Sequence, residues 1–331
     1  MYIDISKYNL PKFRQNQLND AVFKNFVNSF DEISTLSNEI KEKLKKDFPF
    51  PSIRSVKKTK SLEVIKELFE TEDGKLFEAV LLLHKKGRQT VCVSSQVGCP
   101  VGCKFCATGM LGFERNLTYR EIVDQVLHFA RLLKEQDLKI TNIVFMGMGE
   151  PFLNVENLLK SVNVLVNPNE FNFSSRKITV STVWPGDEVL EFVKEHPQIN
   201  IAVSLHSSIQ EKREKLIPIG SKFTLKDLEI DLTKYFEISN RRLTLEYLLL
   251  EGINDSIEDT QDLVEFINKI NGKLLHVNLL PYNQTNEAYK PSDRKNIQKF
   301  KKYLENNNIN VTVRKSIGDD IASACGMLKS R

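Results

Sequence analysis

Apolar residues near the start of the chain recur at helical spacings, first Leu18, Val22, Phe23 and Phe26, then Ile33, Leu36, Ile40 and Leu44. The spacing predicts a small helical unit up to about residue 70, interrupted at Pro49 and Pro51 ahead of a basic loop. From about residue 76 the pattern changes. KLFEAVLLL and QTVCVSS read as neighbouring strands around the turn-like HKKGR. Six further strands follow: ITNIVFM (140–146), KITVST (177–182), NIAVSLH (200–206), RLTLEYLLL (242–250), KLLHVNLLP (273–281) and INVTVRK (309–315). Amphipathic segments lie between them. Thr118 and Glu121 resemble a capping box, and Thr224, Ser256 and Ser292 each precede a predicted helix.

Repeated β-α units imply a parallel sheet with helices outside it, either doubly wound or rolled into a barrel. About six units follow the strand at QTVCVSS, too few for eight, so the expected fold is an α/β partial (βα)6 barrel. Functional residues then belong at the C-terminal ends of the strands. The expected organisation is an N-terminal helical accessory unit with a basic linker (1–75), a barrel core with a leading hairpin (76–318) and a C-terminal segment (319–331).

Composition adds little to this until charge is located. Hydrophobic residues make up 41% and charged residues 27% of 331, a globular balance, and no apolar run approaches bilayer length. The start, MYIDISKYNLPKFRQNQ, has no apolar stretch of the signal-peptide kind, so a cytoplasmic location without membrane attachment is expected. Net charge is +4, yet residues 41–60 alone carry eight Lys or Arg against two acids. Such a segment suits a phosphate-rich partner such as RNA, or is simply a solvated face.

Five cysteines are too few, and odd in number, for a secreted disulfide framework. Three of them, Cys99, Cys103 and Cys106, stand in GCPVGCKFCATG. Helical spacing would put these thiols on one face, but Gly98, Pro100 and Gly102 disfavour a helix there. Structural zinc takes four ligands, usually as two separated pairs, and no second pair follows. A [4Fe–4S] cluster on three cysteines leaves one iron open to substrate. Gly147, Gly149 and Glu150, in FMGMGEP, end the next strand, where glycine admits a ligand close to the backbone and the acid can meet an amino group.

C-x₃-C-x₂-C with Phe105 before the last cysteine resembles the radical S-adenosylmethionine (SAM) enzymes. More narrowly, CVSSQVGCPVGCKFCATGMLGFERNLT, FMGMGEPFLN, SLHSS, HVNLLPYN and RKSIGDDIASACG together resemble the RlmN/Cfr family of RNA adenosine methyltransferases. The helical N-terminal region is also similar to that family's accessory domain. The resemblance implies a radical SAM partial barrel with one [4Fe–4S] cluster on Cys99, Cys103 and Cys106, and two SAM molecules used per turnover.

It also assigns the outlying cysteines. Cys325, in SACG, matches the cysteine that is first methylated by SAM; a radical made from a second SAM then takes hydrogen from its S-methyl group, and the methylene carbon adds to an adenine ring carbon. Cys92 matches the cysteine that attacks Cys325, releasing methylated RNA and leaving a disulfide. A radical suits this target because an electron-poor ring carbon offers no lone pair to methylate. Glu78 matches the proton acceptor. Gly149, Glu150, Ser181, Ser204, Leu205, His206 and Asn283 match SAM contacts.

MGMGEP and GFERNL look more like the RlmN branch, which implies methylation at adenine C2 in 23S ribosomal RNA and in transfer RNA. The alternatives are C8 methylation as in the Cfr branch, or a divergent radical SAM enzyme with another RNA. A monomer served by a flavodoxin or ferredoxin electron donor is the accompanying expectation. Two departures stand out: Trp184 occupies a position where the family has glycine, and Met327 one where it has glutamine.

Overall fold

Ten strands form one sheet whose order follows the chain, as a succession of β-α units dictates. The computed structural model describes residues 1–85, 87–270, 274–314, 318 and 321–329. The sheet begins with β1 (Ile53–Lys60), β2 (Val64–Thr71), β3 (Leu76–His84) and β4 (Arg88–Val93), paired antiparallel. A separate small hairpin follows, β5 (Gln96–Gly98) with β6 (Phe113–Asn116). The main sheet continues in parallel from β4 through β7 (Asn142–Phe145), β8 (Ile178–Thr182) and β9 (Asn200–Ser204). It ends with β10 (Leu243–Leu249), β11 (Leu275–Pro281) and β12 (Val311–Val313). Six parallel strands after β4, with β1 and β12 at opposite ends of the order, form the expected partial barrel. Lys86, Lys273 and Lys315 of the expected turn and strands, and residues 316, 317, 319 and 320 of the C-terminal motif, lie outside the described residues.

Helices join the strands: α1 (Lys12–Asp20) and α2 (Asn38–Asp47) precede the sheet, then come α3 (Ala107–Leu111), α4 (Tyr119–Lys134) and α5 (Val155–Val166). They continue with α6 (Glu188–Glu195), α7 (Gln210–Leu216), α8 (Leu225–Ile238), α9 (Ile257–Ile270) and α10 (Arg294–Asn306). The period of two along the strands divides their side chains between two environments. Ile178, Val180, Ile201, Val203, Leu245, Tyr247, Val277 and Leu279 join the helices in the main apolar core. Their alternates, among them Thr179, Ala202, Thr244, Glu246, His276 and Asn278, line a cavity inside the barrel.

Local signals hold where they are strongest. Thr118 and Glu121 cap α4 reciprocally, Thr224 and Asp227 do the same for α8, and the Ser256 hydroxyl accepts the Asp259 N–H. Ser292 does not cap α10; Asp293 accepts the Asn296 N–H at 2.7 Å, while the Ser292 hydroxyl donates to Asp255. Asp, the better anionic acceptor at a helix start, takes the position.

The helical expectation holds as far as Asp47 and fails after it. Residues expected as a basic loop and further helix form the β1–β2 hairpin, with Ile53 opposite Thr71 and Lys60 opposite Ile65. In β2 the buried positions include Val64, Ile65, Glu67, Phe69 and Thr71, a strand alternation. β1 is an edge strand carrying exposed Arg54, Lys57, Lys58 and Lys60, which keep another chain from pairing there. Ahead of the hairpin, Tyr2, Leu18, Val22, Phe23, Phe30 and Leu44 form a second apolar cluster that packs on Val123 and Leu127 of α4.

Candidate active site

The polypeptide leaves β4 at its C-terminal end and turns through β5 into the cysteine loop. Gly98 makes that turn with φ +75°, and a Cβ there would collide with the Gly112 carbonyl. The same carbonyl accepts the Cys99 N–H at 2.7 Å. Lys104 N–H donates to Leu216 O at 3.0 Å, fastening the loop to the end of α7. The chain becomes helical only after Cys106, at α3. The loop's geometry is therefore fixed by backbone, leaving its three half-buried thiols to line one cavity of about 160 Å³.

Strand ends supply the rest of that cavity. Gly149, Glu150, Ser181, Ser204 and His206 line it with Cys99, Cys103 and Cys106. Gly149 has φ +102°, and a Cβ would come within 2.7 Å of Gln96 and of Ser95. Glu150 is buried; its carboxylate accepts the Val183 N–H at 2.8 Å and the Phe152 N–H at 3.1 Å. Burial raises its acid to about 7 in spite of those two donors. His206 Nδ1 accepts the Leu248 N–H at 3.0 Å, so its proton sits on Nε2. Burial, helped by the Arg213 charge, lowers this imidazole to about 3 and keeps it neutral.

Sulfur chemistry and charge in this cavity fit an iron–sulfur cluster with SAM. Burial pushes the Cys99 thiol up to about 12, and Cys103 and Cys106 are raised in the same direction, with their neighbours' negative charge adding to the effect at Cys103. Three such thiols ionise together only around a cationic centre. Among the described residues no three His, Cys, Asp or Glu side chains are placed to hold a single metal ion. Two buried charges also lack an ion-pair partner among the described residues. Glu150 has no cation, as a carboxylate awaiting an amino group would. Arg213, 1% exposed, donates to Val183 O and Phe223 O while its Nε has no partner, and the opposite charge it senses is that of Cys103. Nothing in the sequence marks Arg213, because its role depends on burial.

A cleft of about 880 Å³ inside the barrel adjoins the small cavity, sharing lining residues with it. Cys106, Cys325 and Arg314 border both. Cys92 and Asn283 border only the cleft. Cys92 and Cys325 are free thiols, and negative charge at Cys325 opposes ionisation of Cys92. Asn283 donates to the Cys325 carbonyl at 3.2 Å. Glu78 is buried beside these cavities without bordering either. Leu205, expected among the SAM contacts, has its side chain in the apolar core, while its N–H donates to Glu246 O at 3.1 Å. Leu205 lies just past the end of β9, between Ser204 and His206, which line the cavity.

Trp184 is buried with φ +65°, a backbone conformation that suits glycine and costs other residues roughly 1–2 kcal/mol. Its ring packs in the main core and its Nε1–H donates to Asp231 at 3.1 Å, which offsets that strain. The loop after Ser181 thus keeps the glycine-like path with a different residue.

The chain is similar to known proteins along most of its length. Residues 93–267 match the Radical SAM superfamily. Proteins named "Probable dual-specificity RNA methyltransferase RlmN" are similar along nearly the whole chain. The one from Dictyoglomus turgidum is 40% identical over 321 residues, 97% of this chain and 91% of its own. The one from Staphylococcus epidermidis is 39% identical over 322 residues, 97% of this chain and 87% of its own. A crystal structure of a radical SAM methyltransferase from Sphaerobacter thermophilus superposes with a TM-score of 0.94 at 36% identity, covering 99% of this chain and 96% of that one. Identity at this level, sustained almost end to end in both partners, places the protein in the RlmN family of radical SAM RNA methyltransferases.

Proposed function

We propose that the protein methylates adenine at C2 in 23S ribosomal RNA and transfer RNA, with Cys325 carrying the methyl carbon and Cys92 releasing the product. The observation that carries this reading is the position of Cys325, which borders both the three-cysteine cavity and the cleft that contains Cys92. On this reading Cys99, Cys103 and Cys106 hold the cluster. Gly149, Glu150, Ser181, Ser204, His206 and Asn283 hold SAM, while Leu205 has its side chain in the core and its N–H on Glu246 O. When bound, cluster and SAM supply a carbon-centred radical. Glu150 meets the cationic amino group, and neutral His206 offers an N–H donor. The resemblance assigns Glu78 as the proton acceptor; its carboxylate borders neither cavity, and Lys66 and the Lys329 N–H engage its two oxygens.

Release is ordinary thiol chemistry. The Cys92 thiolate attacks the Cys325 sulfur, an S–S bond forms, the S–CH₂ bond breaks, and its electron pair passes to the base, whose carbon is then protonated to methyl. Burial, then the Cys325 charge, pushes the Cys92 thiol up to about 12, so attack waits on deprotonation. Cys92→Ala is expected to accumulate a covalent RNA–protein adduct, seen as a denaturation-resistant, nuclease-sensitive band. Wild-type yields of free methylated RNA from that variant would eliminate the release step. Resolution of preformed adduct in the unaltered protein is expected to quicken from roughly pH 7 to pH 9.

Charge inside the barrel supports an RNA substrate. Among the described residues six Arg or Lys border the cleft, against one acid, Glu246. Arg88 begins β4, while Lys177 and Arg242 directly precede β8 and β10, so these cations gather at the end opposite the cysteine loop. Strand register puts Lys60, opposite Ile65 on β2, at that same end. An extruded adenosine entering here would have its flanking phosphates among cations. Arg88→Ala with Arg242→Ala is expected to weaken binding of unmodified RNA and to lower its log–log salt slope by about 1 to 2. Anisotropy titrations across a salt series measure both.

The boundary expected at residue 75 falls instead ahead of β1, because β1 and β2 belong to the main sheet. On this reading the helical residues before β1 form an accessory RNA-binding unit, the sheet and its helices the catalytic core, and 319–331 the methyl-carrying segment. The relatives' name, dual-specificity, supports two classes of RNA substrate. Mass spectrometry of adenosines from unmodified ribosomal and transfer RNA, after incubation with the protein, tests the assignment; methylation at C8 alone would overturn it.

A further inference from the structure

Cys325 stands exposed at the tip of a segment whose two shoulders are fastened. Ala324 and Leu328 beside it are buried. Gly326 O accepts the Ala107 N–H at 2.7 Å, and Leu328 O accepts the Thr108 hydroxyl at 2.8 Å, tying the segment to α3 just beyond Cys106. The other attachment is ionic. Lys66 on β2 has a side chain only 12% exposed, and its Nζ lies 3.0 Å from Glu78 Oε1 on β3. The same Nζ donates to Ala322 O at 3.1 Å. The second oxygen of Glu78 accepts the Lys329 N–H at 2.8 Å. One nearly buried ion pair therefore grips the segment three residues before the thiol and four residues after it.

We propose that Lys66 is a positioning residue for methyl transfer, forming with Glu78 a clasp that holds the Cys325 segment in place with its thiol exposed. This rests on the reading of Cys325 as methyl carrier. The thiol serves two places, the cysteine-lined cavity and Cys92, and both require its shoulders to stay still. A lysine this buried loses its hydration, and the Glu78 carboxylate and Ala322 carbonyl replace it. Both Glu78 oxygens are engaged in the clasp, so Lys66 also sets the orientation of that carboxylate. Because misplacement of a reacting group by about 1 Å costs roughly 10²-fold in rate, the clasp acts on turnover without touching RNA.

Amide exchange across residues 321–329 of cluster-loaded protein, without turnover, tests the clasp directly. Lys66→Met is expected to accelerate that exchange about tenfold and to lower kcat between about 10- and 100-fold, with KM for RNA within about twofold of normal. Lys66→Arg restores slow exchange and most of the rate. Unchanged exchange in the Met variant, or an Arg variant as fast as the Met one, overturns the proposal. If Lys66→Met does not fold, Lys66→Gln, which can still donate to Ala322 O without the charge, carries the same measurement. Cys325→Ala keeps slow exchange in this segment whatever the chemistry of the thiol, so failure of the clasp and failure of the methyl-carrier reading are told apart.

Discussion

Cys325→Ala is expected to abolish RNA methylation, a loss of at least roughly 10³-fold, while the protein stays folded and retains its iron. The size of the effect follows from chemistry, because alanine has no sulfur to carry the methyl carbon or to form the covalent adduct. The retention of fold follows from structure. Cys325 is exposed, and its segment is held by the carbonyls of Ala322, Gly326 and Leu328 and by the Lys329 N–H, none of which the substitution removes. No packed volume is lost, so the stability change is expected to be within about 0.5 kcal/mol. A methylation assay with unmodified RNA, alongside thermal melting and iron content, makes the comparison. Residual methylation near the wild-type rate would remove Cys325 from the mechanism and leave a radical SAM enzyme that delivers its methyl group by another route.

The parts of this protein that were legible in sequence are those decided by neighbours along the chain. β7 to β11 declare themselves by short apolar runs, and the box at Thr118 by two side chains three residues apart; the sequence marks Thr224 only as preceding a helix, and its box with Asp227 emerges in the structure. The cysteine loop was readable because Gly98 and Gly102 exclude a helix locally. β1 was missed because IRSVKKTK has the polarity of a loop; it is a strand only because β2 offers it a partner. Leu205 enters the expected site through the resemblance, with Ser204 and His206, although its side chain lies in the core. The contacts that position Cys325 were invisible for a different reason. Lys66 meets Ala322 across 256 residues of sequence, and Arg213 stands near Cys103 only through the fold of α7. Burial gives both their meaning, and a linear pattern does not encode it.

Cys103→Ala is expected to remove the cluster and, with it, all radical-dependent methylation. Of the three loop cysteines, Cys103 is the one whose charge Arg213 senses, and its ionisation is opposed by burial and by the charges of Cys106, Cys99 and Glu150. Without a cationic centre nothing compensates that opposition, so the centre and the three thiolates stabilise one another cooperatively. Removing one thiolate leaves two half-buried cysteines that cannot satisfy the remaining irons, and iron and sulfide content should fall to near zero after anaerobic purification. The apo fold should survive, because the loop path is set by hydrogen bonds of Cys99, Lys104 and Cys106 backbone rather than by sulfur. Visible absorption, iron and sulfide analysis, and circular dichroism on the same sample separate cluster loss from unfolding. Full iron and sulfide content in a folded Cys103→Ala protein would show that the loop is not the ligand set. Zinc in place of iron in the unaltered protein would mean that these three thiols serve a different metal.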